Sequence, residues 1–233
     1  GGQPSGGRAQ PEPFVVPPAD VPGESQEKLL GDVKRYQSQV IRDGIPARKA
    51  GLFPAGDEFL LMLMNTGWKP CTKGLIGPTV DGGYAYMATP DGWASGDNAI
   101  QHGMDLRWFI HEGFGAKKEG ETLMGAVRYS ESACIGRGFG TSVHGGAVET
   151  CLDEATAELA KTKLFPQATT AKIEFKINKP VQPHVTYRVF CEVTKENVPN
   201  VSYEVRGEIT EAMSETNVLA VCNAKMANPV ALN

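Results

Sequence analysis

No apolar run in this 233-residue chain approaches the length of a membrane span; the longest, Phe59 to Met64, is six residues, against the roughly 20 that a transmembrane helix needs. No transmembrane segment is expected. Dense basic runs are also missing. Lys and Arg number 23 against 27 Asp and Glu, a net charge of -4. A general nucleic-acid binder neutralises phosphates with a basic stripe, so nucleic acid is not expected as a partner. The five cysteines, Cys71, Cys134, Cys151, Cys191 and Cys222, are odd in number and scattered, without CxxC or Cys/His spacing. Neither a structural zinc site nor a disulfide framework follows from that arrangement, and no metal is expected. Buried free thiols in a reducing compartment fit better.

The length allows one generous domain, or a domain with a sizeable extension. The chain begins with Gly-Gly rather than Met, as it would after removal of a leader such as an organellar transit peptide. Residues 1–24 are rich in Gly and Pro and read as an extended arm. Ser25 is a cap for a predicted helix over Gln26 to Arg42, with Leu29, Val33, Tyr36 and Val40 on one face and Gly44 and Pro46 beyond its end. The run 57–64, DEFLLMLM, is too short for periodicity to assign. Residues 70–103 read mostly as loop with a short strand at Tyr84 to Ala88; Gly82-Gly83 lacks the Lys-Ser/Thr of a phosphate loop. A strand is expected at Met104 to His111. The expected organisation is an arm over 1–24, an extension over 25–112 and a main domain over 113–233.

The most informative stretch is Gly138 to Lys163. A Gly-rich loop ends in His144-Gly145-Gly146, and an amphipathic helix follows with Val148, Cys151, Leu152, Ala155 and Leu159 on one face. Unshielded glycine amides at a helix N-terminus can point at an oxygen that gains negative charge. Glu149 and Asp153 are one turn apart on a different face from the apolar stripe.

Around this helix the pattern changes to a period of two. Glu121 to Ser130 places Leu123, Gly125, Val127 and Tyr129 on one face. Four more strands are expected at Thr169 to Asn178 (Ala171, Ile173, Phe175 and Ile177 inward), Val185 to Lys195 (Val185, Tyr187, Val189, Cys191 and Val193 inward), Val201 to Glu211 and Val218 to Met226. The connections KPVQPH, ENVPN and EAMSET are short, so successive strands are expected to pair antiparallel as a meander. The fold class is α+β, a long central helix wrapped by a curved antiparallel sheet.

HGGAVETCLDEA, with Asp153 nine residues after His144, and TTAKIEFKINKPV, with Thr170 ten residues before Pro180, resemble the corresponding motifs of the hotdog-fold acyl-CoA thioesterases. That group includes mitochondrial long-chain enzymes and bacterial phenylacetyl-CoA thioesterases. The resemblance covers about Gly113 to Pro229. It implies hydrolysis of a fatty or aryl acyl-CoA with no cofactor beyond the coenzyme A thioester itself. It assigns Asp153 as base or nucleophile, Thr170 as the residue that positions water or carboxylate, and His144 as the holder of the loop. Gly146, with Gly145, would form the oxyanion site. It also implies a site shared between subunits, hence a homo-oligomer or a hotdog hetero-oligomer, and a mitochondrial matrix or other organellar location, otherwise cytoplasmic. Lys179 and Arg137 are basic candidates for the coenzyme A phosphates. Glu149 departs from the pattern, since relatives usually carry a small or apolar residue there. The second implied reading is a non-catalytic scaffold subunit of a large organellar complex, held through residues 1–112.

Overall fold

Seven strands form one antiparallel sheet around a single long helix in the computed structural model, which describes residues 51–71, 75–78, 84–87, 94, 96–111, 122–136, 141–161, 164, 168–199 and 201–228. The arm, the predicted helix at 26–42, Gly82-Gly83 and Arg137 lie outside those residues. In chain order the elements are α1 (Glu58–Asn65), β1 (Trp68–Cys71), β2 (Leu75–Pro78), β3 (Tyr84–Met87), α2 (Gly96–Gln101), β4 (Met104–His111) and β5 (Thr122–Tyr129). They are followed by β6 (Cys134–Ile135), β7 (Ser142–Val143), α3 (Gly145–Lys161), β8 (Thr169–Ile177), β9 (Thr186–Val198), β10 (Ser202–Glu211) and β11 (Val218–Ala227). The sheet order is β1-β4-β5-β9-β10-β11-β8, with helix α3 packed across it. This is the α+β hotdog arrangement.

Periodicity explains most of it. On α3, Val148, Cys151, Leu152, Ala155 and Leu159 are all at most 1% exposed, as one apolar helix face should be. They meet the inward residues of the sheet, among them Leu123, Val127, Tyr129, Val189, Cys191, Val205, Ile209, Cys222, Ala224 and Met226.

Two expectations need correction, and one segment left open is assigned. The sheet runs without a break across residue 113, because β1 pairs with β4 and β4 with β5; the backbone of residues 68–111 supplies two strands that the main domain requires. The 57–64 run is helix. Asp57 decides this, since its Oδ1 accepts from the backbone N–H of Phe59 and of Leu60 at 3.1 Å each, satisfying donors that a first turn otherwise leaves open. Lastly, β8 does not pair with β9. It pairs with β11, and β5 takes the place beside β9. The connection 178–185 can stretch to about 26 Å, more than the roughly 14 Å across three strand spacings. It crosses the strand ends with Val181 buried and its carbonyl accepting from the N–H of Val143 at 2.8 Å.

That edge position alters the burial of β8. Ile173 and Phe175 pack partly against the core, but Ala171 is exposed and Ile177 is 41% exposed, because no described strand covers this edge. Val185, also expected inward, precedes β9 and is exposed.

Residues 51–65 cover the outer face of the opposite end of the sheet. Phe53, Phe59, Leu60 and Leu63 pack with Phe109 and Ala126, while Asp57 Oδ2 accepts from Thr186 Oγ1 at 2.5 Å. Asp105, fully buried, accepts from the N–H of Leu52 at 2.8 Å and pairs with Arg107 at 3.1 Å. Arg107 in turn lies 4.4 Å from the centroid of the Phe53 ring. The extension is therefore bolted to the sheet by polar contacts at both ends of its apolar patch.

Helix and sheet approach closely where β10 passes beneath α3. A Cβ added at Gly207 would lie 3.0 Å from Cys222 Sγ, 3.1 Å from Thr156 Cγ2 and 3.3 Å from Cys191 Sγ. Filling this gap should strain the core, so Gly207→Val is expected to lose about 1–3 kcal/mol, seen as a fall of several degrees in the thermal midpoint. An unchanged midpoint would mean that helix and thiols yield freely.

The same layer is chemically quiet. Burial pushes the thiols of Cys151 and Cys222 up to about 12 and raises that of Cys191 well above its ordinary value. At pH 8 all three stay protonated, and the protonated form is the poor nucleophile. In the native protein these thiols should resist a thiol-reactive disulfide for as long as the fold persists, while the partly exposed Cys134 reacts before them. Rapid modification of Cys151 without unfolding would contradict the packing described.

Candidate active site

The loop before α3 is held on both sides. The N–H of Val143 is bound by Val181, and that of His144 donates to the carbonyl of Ala133 at 2.8 Å. His144 then caps the helix: its carbonyl accepts from Ala147 at 2.9 Å, and its Nδ1 accepts from the N–H of Gly146, also at 2.9 Å. An accepting Nδ1 puts the ring proton of the neutral imidazole on Nε2. The imidazole is thus fixed as a cap on an exposed loop.

This changes the expected role of one glycine. The Gly146 amide, expected to lead the oxyanion site, is taken by His144. The Gly145 amide has no hydrogen-bond partner among the described residues, so it is the free donor at the positive end of the helix dipole. Both positions are tight. A Cβ at Gly146 would lie 3.1 Å from His144 Nδ1, and one at Gly145 would lie 3.3 Å from Ile177 Cδ1.

Asp153 and Thr170, placed together only by the fold, meet directly. Thr170 Oγ1 donates to Asp153 Oδ1 at 2.7 Å. The hydroxyl comes from the first turn of chain in β8, the carboxylate from the flank of α3, and 17 residues separate them in sequence. Asp153 Oδ2 makes no hydrogen bond among the described residues and the side chain is half-buried. One oxygen is therefore oriented and the other left available to a water or a carbonyl carbon.

Neighbouring acids divide by helix geometry. At 100° per residue, Gly145, Glu149 and Asp153 fall on one flank of α3. Glu154 falls on another flank, where burial raises its pKa against the opposing pull of Lys161. Cys151, two residues from Asp153, offers no nucleophile because its thiol stays protonated. Among the described residues no group of three His, Cys, Asp or Glu side chains is placed to hold a metal ion, and no helix is long and apolar enough to cross a membrane.

Spacing along the helix limits what one copy can do alone. Gly145 and Asp153 are eight residues apart, which is about 12 Å of helix. A single carbonyl group cannot touch both the Gly145 amide and the Asp153 carboxylate of the same chain. Lys179, the described one of the two basic candidates, is exposed at the end of β8 and donates to Asn217 Oδ1. Sequence reasoning could not separate Gly145 from Gly146, since only the direction taken by the His144 ring does so.

No family model and no curated protein sequence matches the chain. Solved structures do. A phenylacetic acid degradation-related protein from Ralstonia eutropha JMP134 is 18% identical with a TM-score of 0.39, covering 48% of this chain and 80% of that one. A hypothetical thioesterase protein from Streptococcus pneumoniae TIGR4, solved with coenzyme A, is 13% identical with a TM-score of 0.40, covering 47% of this chain and 82% of that one. The E. coli PaaI protein from the phenylacetic acid degradation operon is 15% identical with a TM-score of 0.39, covering 46% of this chain and 76% of that one.

Proposed function

We propose that this chain is an acyl-CoA thioesterase, hydrolysing a fatty or aryl acyl-CoA to the free acid and coenzyme A, with Asp153 and Thr170 at its reacting centre. The observation that carries this reading is the 2.7 Å hydrogen bond from Thr170 to Asp153, which holds a half-buried carboxylate with one oxygen free. Such a group takes a proton from water as the water attacks the carbonyl, or attacks the carbonyl itself. Either route forms a tetrahedral oxyanion, then breaks the C–S bond; the coenzyme A thiolate leaves and takes up a proton, and on the nucleophilic route water then hydrolyses the Asp153 mixed anhydride to release the acid and restore the carboxylate. The oxyanion is matched by the unpaired Gly145 amide with the helix dipole behind it. His144 keeps that amide in place through the cap.

The 12 Å between these two groups along one helix supports a site built from two copies, each giving its Gly145 to the other's Asp153. The open edge of β8, with Ala171 and Ile177 exposed beside the site, suits a contact between copies. A second reading, a scaffold subunit in a larger organellar assembly, has the exposed Leu61 and Met64 of α1 in its favour, since an apolar helix face ordinarily meets a partner.

The test is hydrolysis of short, medium and long acyl-CoA by the purified chain. Asp153→Asn should lower kcat by about a hundredfold or more with the fold intact, a loss typical of acid–base groups. Thr170→Val should cost less, about tenfold, because it removes orientation and leaves the carboxylate. Equal turnover in Asp153→Asn and the parent protein would refute the assignment.

A further inference from the structure

Glu149 stands midway between the two groups assigned above, four residues from Gly145 and four from Asp153 on the same flank of α3. It is half-buried, and it makes no ion pair or hydrogen bond with any described residue. Neighbouring polar side chains on the helix are engaged: Thr150 donates to the carbonyl of Gly146 at 2.7 Å, and Asp153 holds Thr170. A carboxylate without a partner on a helix flank is unremarkable when that flank faces water. Here the flank is the one that must face substrate.

The two-copy geometry sharpens its position. If Gly145 of each copy faces Asp153 of the other, a twofold axis relates the two helices and passes beside the residue halfway between them, which is Glu149. Both Glu149 carboxylates then lie between the two reacting centres, each about 6 Å along the helix from the nearest oxyanion donor and base. An acyl group that runs from the carbonyl along this flank of the helix passes the paired negative charge.

Resting on the thioesterase reading, we infer that Glu149 is a specificity-determining residue that excludes acyl groups bearing a carboxylate and favours those that are neutral or carry a hydrogen-bond donor such as a hydroxyl or an amine. An acyl carboxylate that comes within about 6 Å of Glu149 in a partly desolvated groove is repelled strongly enough for tenfold discrimination or more. An amine or hydroxyl in the same place gains the partner that Glu149 lacks. The coenzyme A phosphates do not confound the effect. They are common to every ester compared and cancel in a ratio.

The experiment compares succinyl-CoA, butyryl-CoA and β-alanyl-CoA on the full chain, reading kcat/KM ratios rather than single values. Binding is measured in parallel by calorimetry on Asp153→Asn, where turnover is silenced. The expected result is a succinyl-to-butyryl ratio of about one tenth or less at low salt. Glu149→Gln should raise that ratio about tenfold and lower the β-alanyl-to-butyryl ratio. A merely structural role would move the three substrates together and leave the ratios unchanged, which would overturn the inference. Should Glu149→Gln fail to fold, the parent protein still decides: discrimination must shrink as salt screens the charge, and a salt-independent ratio refutes it. If no ester is hydrolysed, the thioesterase reading fails, while unequal binding of succinyl- and butyryl-CoA would still support the charge effect.

Discussion

Helix α3 lies so near the sheet that a side chain at Gly207 would press on two thiols and on Thr156, and this close approach fixes where every group of the site falls. Small residues on both surfaces allow it: Ala155 on the helix, Gly207, Ala220 and Ala224 on the sheet. A helix held at that distance brings its flank within hydrogen-bonding reach of β8. Asp153 can then meet Thr170, and the first turn can sit against Ile177. A larger residue at Gly207 would lift the helix and lengthen both contacts together.

The second constraint is the helix start. The first amides of the helix compete for few acceptors there, and the outcome is set by His144: its carbonyl accepts from Ala147, its ring takes the Gly146 amide, and the Gly145 amide is left over. The site thus gains a free donor from capping, at no cost in buried unsatisfied groups, because the loop end is open to solvent. Glu149 and Asp153 then follow at one-turn intervals, so the free amide and the two carboxylates are ordered along a line. That line is too long for one carbonyl group to touch both its ends, which favours the proposed site between two copies.

Much of this was readable from the residues themselves. The period-two runs of β5, β9, β10 and β11 and the apolar stripe of α3 are long enough for burial to follow pattern, and β4 was placed at its observed bounds. Both members of the hydrogen-bonded pair, Asp153 and Thr170, were marked by the resemblance of their motifs to those of the hotdog thioesterases rather than by periodicity. What sequence could not give depended on tertiary choices. Six apolar residues in 57–64 suit a strand or a helix, and only the capping side chain of Asp57 decides between them. Turn length permitted β8 and β9 to pair but did not require it; the 178–185 crossing and the insertion of β5 did the rest. The boundary expected near residue 113 failed because β1 and β4 are edge and next-to-edge strands of the same sheet, and strand pairing between distant segments leaves little local trace.

Mixing two inactive variants shows whether donor and base act across two copies. Gly145→Pro removes the free amide at a first helical position where proline is well tolerated, its added Cβ meeting the far end of the exposed Ile177 side chain; Asp153→Asn removes the carboxylate charge. Each alone should be folded and without activity. Co-expressed, they form hybrids in which one site keeps both an intact Gly145 and an intact Asp153, and activity should return to a substantial fraction of the parent protein's. A mixture of two folded variants that associates yet stays inactive would contradict the account, since it would place donor and base within one chain or outside the reaction altogether.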